Sequence, residues 1–417
     1  MMKKVPKRRF KGFLNAGDWE QCKLGDIVKS YSGGTPTASN KEYYGGDIPF
    51  IRSAEINSDT TELYITQKGL DNSSAKIVDK GTILYAMYGA TSGEVGISKI
   101  NGAINQAILA MRPLEYNGKI IEQYLRKNKK SIIGKYLQGG QGNLSASIIL
   151  ELPIQLPGLE ESNQIANFLE SFDNLITLHQ RKLEKLQATK KALLYELFPI
   201  ENSRRPKRRF KGFTDDWEQR KLGEVFGCLQ NNTLSRDELN YKVPNVKNIH
   251  YGDILIKFDE VVDWNSADIP FINNNLDLSK YSNSLLRDGD IVFADTAEDD
   301  TVGKAIELQN VKTPYALAGL HTIPCRSLIP FGKGYMGNFL NSESYRCQLR
   351  PLMQGIKVSS ISKQALKNTT IKYPLDLLEQ SQIGNIFFHI TTLLTLHQRK
   401  LEKLKNLKAA YLNEMFV

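Results

Sequence analysis

The sequence predicts an α+β protein built as a pseudo-twofold tandem repeat, with two mixed α/β inserts separated by two long antiparallel helices that form a coiled coil. Two identities support the repeat: PKRRFKGF stands at 6–13 and again at 206–213, and TLHQRKLEKL stands at 177–186 and at 395–404. A heptad of apolar residues runs through both copies of the second motif, which predicts the helices. The segments between the motifs differ in sequence and alternate strand and helix patterns, which predicts the inserts.

The repeat divides the chain into parts that recur in the same order. Each basic arm continues into a matching segment, DWEQCKLGDI ending at Ile27 and DWEQRKLGEV ending at Val225. The arm tryptophans, Trp19 and Trp217, could pack against the inserts or against a partner, and the sequence leaves both open. The predicted parts are the arm with the first insert at 1–157, the first long helix at 158–198, a linker at 199–205, the repeated arm with the second insert at 206–374, and the second long helix at 375–417.

The two inserts differ in sequence but share the same order of predicted strands and helices, which predicts that they have the same fold. Short apolar runs bounded by Gly and Pro predict strands, and one longer stretch in each insert has helical periodicity. In the first insert the strands are expected at 47–51, 82–87 and 107–111 and the helix at 118–132; in the second, strands are expected at 268–272 and 289–295 and a helix at 334–349.

The long helices have an apolar seam in which steps of four and three residues alternate. A short linker joins the two units, so antiparallel pairing of the helices is the simplest arrangement. At about 1.5 Å per residue each helix would be roughly 50 Å long. His179 and His397 fall near the middle of the seam, where a polar residue can fix the register. We expect the seam or partner docking to involve Ile176, His179, Leu183, Leu186, Leu394, His397, Leu401 and Leu404.

The charge balance favours a polyanionic partner, since 55 Lys and Arg against 45 Asp and Glu give a net charge of +10. Enzymatic signatures are missing from the sequence: it has no GxxxxGK[ST] loop and no Pro-Pro dipeptide, which excludes the [DNS]PP[YF] motif of amino-methyltransferases. The four cysteines form no CxxC pair, so neither a zinc site nor a disulfide framework is indicated. We therefore expect no catalytic residues and no metal site.

The longest apolar stretch, at 384–396, is too short to cross a bilayer, and no apolar segment follows the basic N-terminus. A cytoplasmic protein is expected.

The contrast between the constant parts and the divergent inserts points to recognition. Arms and helices are nearly identical in the two halves, so the inserts should bind two different things, such as two unlike half-sites on duplex DNA, which is itself pseudo-twofold. Gly-rich loops can approach DNA closely, and the side chains of Arg, Asn, Gln, Lys and Tyr carry hydrogen-bond donors and acceptors that complement those of base edges. Any single one of these residues could still be an ordinary turn residue. The candidate DNA-binding residues are Thr35, Asn40, Lys41, Tyr43, Arg52, Ser53, Tyr88, Thr91, Gln138, Gln141, Asn143, Asn231, Asn232, Arg236, Lys247, Asn248, Thr296, His321, Thr322, Gln354, Lys357 and Ser359.

Four stretches of the sequence resemble one family over essentially the whole chain. They are the RRFKGF and DWEQxKLG segments of the arms, GGTPTASNKEYYGGDIPFI at 33–51, GAINQAI at 102–108, and the helix NFLESFDNLITLHQRKLEKL at 167–186. Together they resemble the specificity subunit of type I DNA restriction-modification systems. The resemblance is weakest in the second insert.

By that resemblance the inserts would be target recognition domains, each reading one half of a split, asymmetric site on double-stranded DNA. The helices would set the spacer and dock two adenine methyltransferase (modification) subunits, with restriction subunits joining through the complex. The resemblance also implies that S-adenosylmethionine, ATP and magnesium belong to the partner subunits and that this chain binds no cofactor. Two alternatives remain at this level: a stand-alone enzyme acting on DNA, and a coiled-coil scaffold whose basic charge is incidental.

Overall fold

The computed structural model describes residues 5–137, 143–200, 202–242, 246–273, 278–312, 316–355 and 357–417. The chain divides into two compact units. The first contains residues up to 179 together with 400–417, and the second contains residues 180–399. Each unit therefore holds one arm, one insert, and a part of each long helix.

The first insert is built from two four-stranded sheets, in the orders β2-β9-β6-β7 and β4-β3-β8-β5 of the strands named next. The strands are β1 Glu20–Lys23, β2 Val28–Ser32, β3 Tyr44–Ile51, β4 Tyr64–Ile65, β5 Lys76–Val78, β6 Ile83–Ala86, β7 Val95–Ile97, β8 Gly102–Ile104, β9 Ile108–Pro113 and β10 Pro153–Leu156. All four residues of β6 are buried because it lies between two neighbours and is covered on both faces. The three predicted strands of this insert are confirmed.

Helices cover the first insert and lead out of it. They are α1 Leu24–Ile27, α2 Gln67–Asp71, α3 Gly118–Tyr136, α4 Ala146–Leu150 and α5 Leu159–Glu196, with 3-10 turns at Lys11–Phe13, Lys41–Tyr43, Ser53–Glu55 and Gly89–Thr91. Helix α3, predicted at 118–132, begins where the Asn117 side chain accepts a hydrogen bond from the Lys119 amide. It buries Ile120, Ile121 and Leu125 on one face, as the helical period requires.

The second insert repeats this plan, with a five-stranded sheet in the order β12-β21-β17-β19-β15, a four-stranded sheet in the order β13-β16-β14-β20, and the pair β18-β22. The strands are β11 Glu218–Lys221, β12 Phe226–Cys228, β13 Leu239–Asn240, β14 Lys247–Ile249, β15 Val261–Asp263, β16 Phe271–Ile272, β17 Ile291–Ala294, β18 Thr296–Ala297, β19 Ala305–Gln309, β20 Ala316–Ala318, β21 Thr322–Ser327, β22 Ser359–Ser360 and β23 Thr370–Tyr373. The strand predicted at 268–272 is reduced to Phe271–Ile272, although the same pentapeptide at 47–51 lies entirely within β3.

The helices that follow the second arm are α6 Leu222–Val225, α7 Tyr251–Ile256, α8 Tyr335–Leu340, α9 Glu343–Leu349, α10 Lys363–Lys367 and α11 Leu377–Met415, with 3-10 turns at Arg236–Glu238, Leu278–Tyr281 and Arg350–Leu352. The single helix predicted at 334–349 is wrong, since α8 and α9 are separate. The Asn341 side chain exchanges hydrogen bonds with the backbone of Ala305, and the Ser342 hydroxyl donates to the Phe339 carbonyl. These side-chain bonds to the backbone compete with continuation of the helix.

Each insert is closed at its root by an antiparallel strand pair. Strand β1 of the first arm pairs with β10, which directly precedes α5, and β11 of the second arm pairs with β23, which precedes α11. The arm and the last strand of each insert are thereby joined where the long helix begins.

The heptad seam is confirmed in both long helices, because every predicted seam position is buried or half-buried. In the first unit, Phe168 and Phe172 of α5 lie with ring centres 4.9 and 5.6 Å from that of Tyr411, near the end of α11. In the second unit, Phe198 at the end of α5 stacks on Phe387, near the start of α11, at 5.9 Å. The helices therefore pack antiparallel.

The two arms are held by equivalent buried ion pairs. The Arg9 guanidinium donates to both carboxylate oxygens of Glu161 at 2.8 and 2.6 Å, and Arg209 donates to those of Glu379 at 2.7 and 2.9 Å. Each glutamate lies in the first turn of a long helix, where the helix dipole favours negative charge. Each arm is thus fixed to the start of the helix that follows its own insert.

Tryptophan and phenylalanine complete each arm. Trp19 is buried against Phe416 with ring centres 6.0 Å apart, and Trp217 is buried against Phe198 at 6.4 Å. The arm tryptophans are therefore part of the core. Within the described ranges, no helix is long and apolar enough to span a bilayer.

Candidate nucleic-acid interface

Several predicted recognition loops of the second insert meet at one surface. Strand β18 pairs with β22, with Thr296 opposite Ser360 and Ala297 opposite Ser359. Gln354 joins the same ladder, since its amide donates to the Ser360 carbonyl at 3.0 Å. The loops at 294–301 and 354–360 are thus held side by side.

His321 occupies the middle of this surface in an unusual backbone conformation. Its φ is 54°, in the left-handed region that residues other than glycine seldom adopt. Its Nδ1 lies 3.3 Å from Oδ1 of Asp295 and 3.4 Å from Oγ1 of Thr296, and its ring packs edge-on against Tyr251 with centres 5.3 Å apart. The side chain is 47% exposed. Strained backbone at an exposed, positioned side chain is typical of functional sites.

The loop at 230–238 joins the same surface through Asn231. Its side-chain amide donates to the Gly319 carbonyl at 3.3 Å, two residues before His321. The Lys363 ammonium lies 3.5 Å from the Asn231 side-chain oxygen. Of the second-insert candidates, Arg236, His321, Gln354 and Lys357 are exposed, and Asn231, Lys247, Thr296 and Ser359 are half-buried.

Three other candidates of the second insert are buried and hold the loops in place. Asn232 donates to the side-chain oxygen of Asn248 at 2.6 Å, and the Thr322 hydroxyl donates to the Gly319 carbonyl at 2.5 Å. All three side chains are at most 1% exposed. These contacts favour a structural role beneath the surface.

Three of the candidate cations are engaged within the protein. Arg236 makes two hydrogen bonds of 2.7 Å to the buried carboxylate of Asp253, and the hydrogen bonding raises the pKa of Arg236. Lys247 lies 4.4 Å from the Trp264 ring centre, and burial lowers its pKa. Arg52 pairs with Glu55 at 2.9 Å and with Glu62 at 2.7 Å. Each cation would have to rearrange, or share its partner, to contact a phosphate.

In the first insert, one edge gathers residues from three segments. The Thr35 hydroxyl donates to the Gln106 side-chain oxygen at 2.5 Å, which ties the 32–44 loop to the segment after β8. The Ala107 carbonyl accepts from the Met87 amide at 2.8 Å, and Tyr88 forms a β-bridge with Asn143. Thr91 ends the 3-10 turn that follows Tyr88. These contacts line up Thr35, Tyr88, Thr91 and Asn143.

Gly33 allows the loop at 32–44 to pass close to the end of β8. A Cβ on Gly33 would lie 1.9 Å from the Ile104 carbonyl oxygen, so the loop passes too close for any side chain.

The other first-insert candidates lie elsewhere. Asn40 caps the 3-10 turn containing Lys41 and Tyr43, which packs on α2 through the Thr66 amide and the Tyr43 carbonyl at 3.0 Å. Arg52 and Ser53 stand at the end of β3, where the Glu55 carboxylate accepts from the Arg52 amide and guanidinium. Gln138 and Gln141 lie outside the described residues.

The sequence reasoning missed residues that the structure places at these surfaces: Gln106 in the first insert, and Tyr251, Asp295 and Lys363 in the second. Gln106 lies within the GAINQAI motif, which was a usable signal. Asp295 directly precedes the candidate Thr296 in the predicted loop at 294–301, whereas Tyr251 and Lys363 join the surface only through the packing of distant segments.

Among the described residues, no group of three His, Cys, Asp or Glu side chains could hold a metal ion.

Comparison with known proteins agrees with this architecture. The sequence profile described as "Type I restriction modification DNA specificity domain" matches residues 16–188. The type I restriction enzyme MjaVIII specificity subunit of Methanocaldococcus jannaschii is 26% identical over 412 residues, covering 95% of this chain and 91% of that protein. Residues 16–188 therefore match the DNA specificity domain of type I restriction-modification systems, and the likeness to a type I specificity subunit extends over nearly the whole chain.

Two further likenesses extend the comparison. The type I restriction enzyme MjaIX specificity subunit of the same organism is 29% identical over 301 residues, covering 67% of each protein. The crystal structure of the type I restriction-modification S subunit from M. genitalium has the same fold, with a TM-score of 0.62 at 16% identity and 99% of both chains covered. These relatives are all named as specificity subunits, and the matched domain is described as a DNA specificity domain.

The two long helices expose apolar side chains beside their buried seam. Leu175 and Leu178 of α5 are 43% and 46% exposed, and their repeat equivalents on α11, Leu393 and Leu396, are 42% and 44% exposed. The seam leucines Leu183 and Leu401 are 7% and 6% exposed. Apolar side chains are therefore exposed next to the seam, at the same place in both repeats.

Proposed function

We propose that each insert reads one half of a split, asymmetric site on double-stranded DNA. The observation that carries the proposal is the surface around His321, where accessible polar side chains from four separate segments converge on an insert that repeats the plan of the first. In the first insert the edge from Thr35 to Asn143 offers a different set of donors and acceptors. Because the two sets differ, the two half-sites should differ as well.

Affinity in this proposal comes from phosphates and sequence choice comes from bases. The net charge of +10 suits a polyanion, and exposed lysines such as Lys41 and Lys357 lie in the predicted loops. The long helices would set the distance between the half-sites.

The same helices would dock two copies of an adenine methyltransferase subunit, and restriction subunits would join through them. The equivalent exposed leucines of α5 and α11 support two identical docking events, since each repeat offers the same apolar pair. S-adenosylmethionine, ATP and magnesium would belong to those partners. The complex would act on chromosomal DNA in the cytoplasm.

The test is the methylation pattern of DNA from cells that express this chain with its neighbouring methyltransferase subunit, read by single-molecule sequencing. We expect adenine methylation on both strands of a motif split by a fixed gap. A T35A/Q106A variant should relax one half of the motif and leave the other half unchanged. Unmethylated DNA despite a well-expressed complex, or a continuous motif without a gap, would contradict the proposal.

A further inference from the structure

Two cysteines of the second insert face each other on neighbouring strands. Cys228 ends β12 and is directly opposite Cys325 of β21 in an antiparallel ladder. The Leu229 amide donates to the Pro324 carbonyl at 2.9 Å, and the Leu328 amide donates to the Val225 carbonyl at 2.8 Å. Antiparallel pairs alternate between hydrogen-bonded and non-hydrogen-bonded, so the two cysteines form a non-hydrogen-bonded pair.

That position brings the sulfur atoms within bonding reach. In a non-hydrogen-bonded pair the Cα atoms lie about 4.5 Å apart with both side chains on one face, and a disulfide spans Cα separations of about 4.4–6.8 Å. The strands need no rearrangement for the bond to form.

The two thiols differ in access and acidity. Cys228 is half-buried, whereas Cys325 is 1% exposed. The hydrogen bond with Cys325 and the nearby ammonium groups of Lys367 and Lys363 lower the pKa of Cys228. The same hydrogen bond and burial raise the pKa of Cys325. An accessible thiolate beside a buried thiol is the arrangement of an attacking and a resolving cysteine.

We propose that Cys228 and Cys325 form a reversible redox site, in which a hydroperoxide converts the two thiols into a cross-strand disulfide that weakens DNA reading by the second insert. The regulatory part rests on the proposed function; the chemistry does not.

The reaction balances with hydrogen peroxide as the oxidant. The Cys228 thiolate attacks one peroxide oxygen, the O–O bond breaks, and the departing hydroxide takes up the thiol proton as water, which leaves a sulfenic acid. The Cys325 sulfur then attacks the Cys228 sulfur, the S–S bond forms, the S–O bond breaks, and the hydroxyl leaves as water with the Cys325 proton. Two thiols lose two electrons and peroxide becomes two waters. A dithiol reductant reverses the step by exchange.

The pair lies at the root of the recognition surface. Asn231 follows Cys228 by three residues, and His321 precedes Cys325 by four. The ladder continues between them, since the Asn232 amide donates to the Ala318 carbonyl at 2.8 Å. A covalent bond that fixes the separation of β12 and β21 therefore acts on both loops.

The chemical test uses the full-length chain with C22S and C347S, so that only the pair remains. Peroxide treatment should remove both alkylatable thiols together and lower the mass by two hydrogen atoms, and dithiothreitol should restore them. A stable sulfenic or sulfinic acid at Cys228, or untouched thiols, would overturn the proposal. Adding C228S or C325A should abolish the disulfide; C228S suffices if C325A, at a buried position, fails to fold.

The binding test uses the split motif found by methylation sequencing and the chain in complex with its methyltransferase subunit. Oxidation should weaken binding to the full site roughly tenfold, with no effect in the C228S variant or on a duplex whose second half-site is scrambled. A disulfide without any change in binding would reject the regulatory step. A reduced complex that binds no DNA would reject the proposed function instead, and would leave the disulfide chemistry standing.

Discussion

The His321 side chain is the residue whose removal should most cleanly separate recognition from folding. Glycine adopts a φ of 54° without steric cost, so H321G removes the imidazole while relieving the backbone. We expect an unchanged or higher melting temperature. Binding to the full site should fall about ten- to a hundredfold, the usual range for one lost base contact, with relaxation confined to one half of the motif. Melting curves and methylation sequencing measure the two effects.

Asn310 supplies the matched control for this variant. Among the described residues it is the other non-glycine with positive φ, at 59°, and its side chain contacts Asp263 at 3.2 Å. N310G should gain the same backbone relief and leave the methylated motif unaltered. If both variants lose recognition equally, the effect belongs to backbone flexibility and His321 has no direct part in reading DNA.

Neighbouring arginines of the repeated arm motif should differ sharply in their contribution to stability. Removing Arg9 leaves the Glu161 carboxylate, whose side chain is 3% exposed, buried without its partner. We expect R9A to lower the free energy of unfolding by about 3 kcal/mol. R8A breaks an exposed pair with Glu414 and should cost at most about 1 kcal/mol. Urea unfolding of both variants measures these losses of stability. Equal losses would contradict the larger contribution of the buried Arg9–Glu161 pair.

At the scale of elements, the long helices were predictable from sequence because a heptad is a local pattern that packing obeys. The observed helices lie within the predicted bounds of 158–198 and 375–417, since α5 spans 38 residues and α11 spans 39. The first turns carry Glu161 and Glu379, which lie outside the heptad and are fixed by the arms. A residue whose partner is some 150 positions away leaves no periodic signal.

The recognition surfaces show the same limit more strongly. Loop composition put forward Thr35, Thr296 and His321 as candidates, but it could not separate them from Asn232 and Asn248, which are also polar loop candidates and are buried. Whether a loop residue is buried depends on which strand packs against it, and this neighbour is set by the order of strands in the sheet. Sequence alone therefore identifies the loops as a set, and the structure ranks their residues.

Equivalent lysines of the two long helices have different acidic partners, and one of the resulting ion pairs should make stability depend on pH. Lys408 and Lys190 hold the same seam position, but Lys408 pairs with Asp173 at 2.5 Å and Lys190 with Glu260 at 2.7 Å. Burial would raise the pKa of Asp173, yet hydrogen bonds from Lys119 and Lys408 outweigh it and hold the pKa below its ordinary value.

A carboxyl group whose folded-state pKa is lowered stabilises the protein above its unfolded pKa, and this contribution is lost as the pH falls through the folded value. The stability difference between wild type and D173N should therefore be full at pH 7 and shrink below about pH 4. Urea midpoints across this range measure it. E170Q, an exposed change on the same helix, should show no such trend. A difference that is constant with pH would assign the D173N effect to packing.

At the scale of the whole molecule, the last residues of α11 and those just after it pack against the first arm. The Arg8 amide donates to the Glu414 carbonyl at 2.9 Å, as the Arg208 amide does to that of Glu196. Phe416 covers Trp19 as Phe198 covers Trp217. Each arm therefore meets the end of one long helix and the start of the other, and any change in one helix must be matched in its equivalent to keep both units intact.

That requirement makes the ruler hypothesis testable. Repeating residues 177–183 after Leu183 and residues 395–401 after Leu401 adds one heptad at equivalent points and preserves the seam. The added length is roughly 10 Å, or about three base pairs at 3.4 Å each. We expect methylation sequencing to show both half-sites unchanged and the gap about three base pairs longer. Either insertion alone should lower stability, because the seam positions no longer meet. An altered half-site, or a gap that stays constant in a stable double insertion, would show that the helices do not set the spacer.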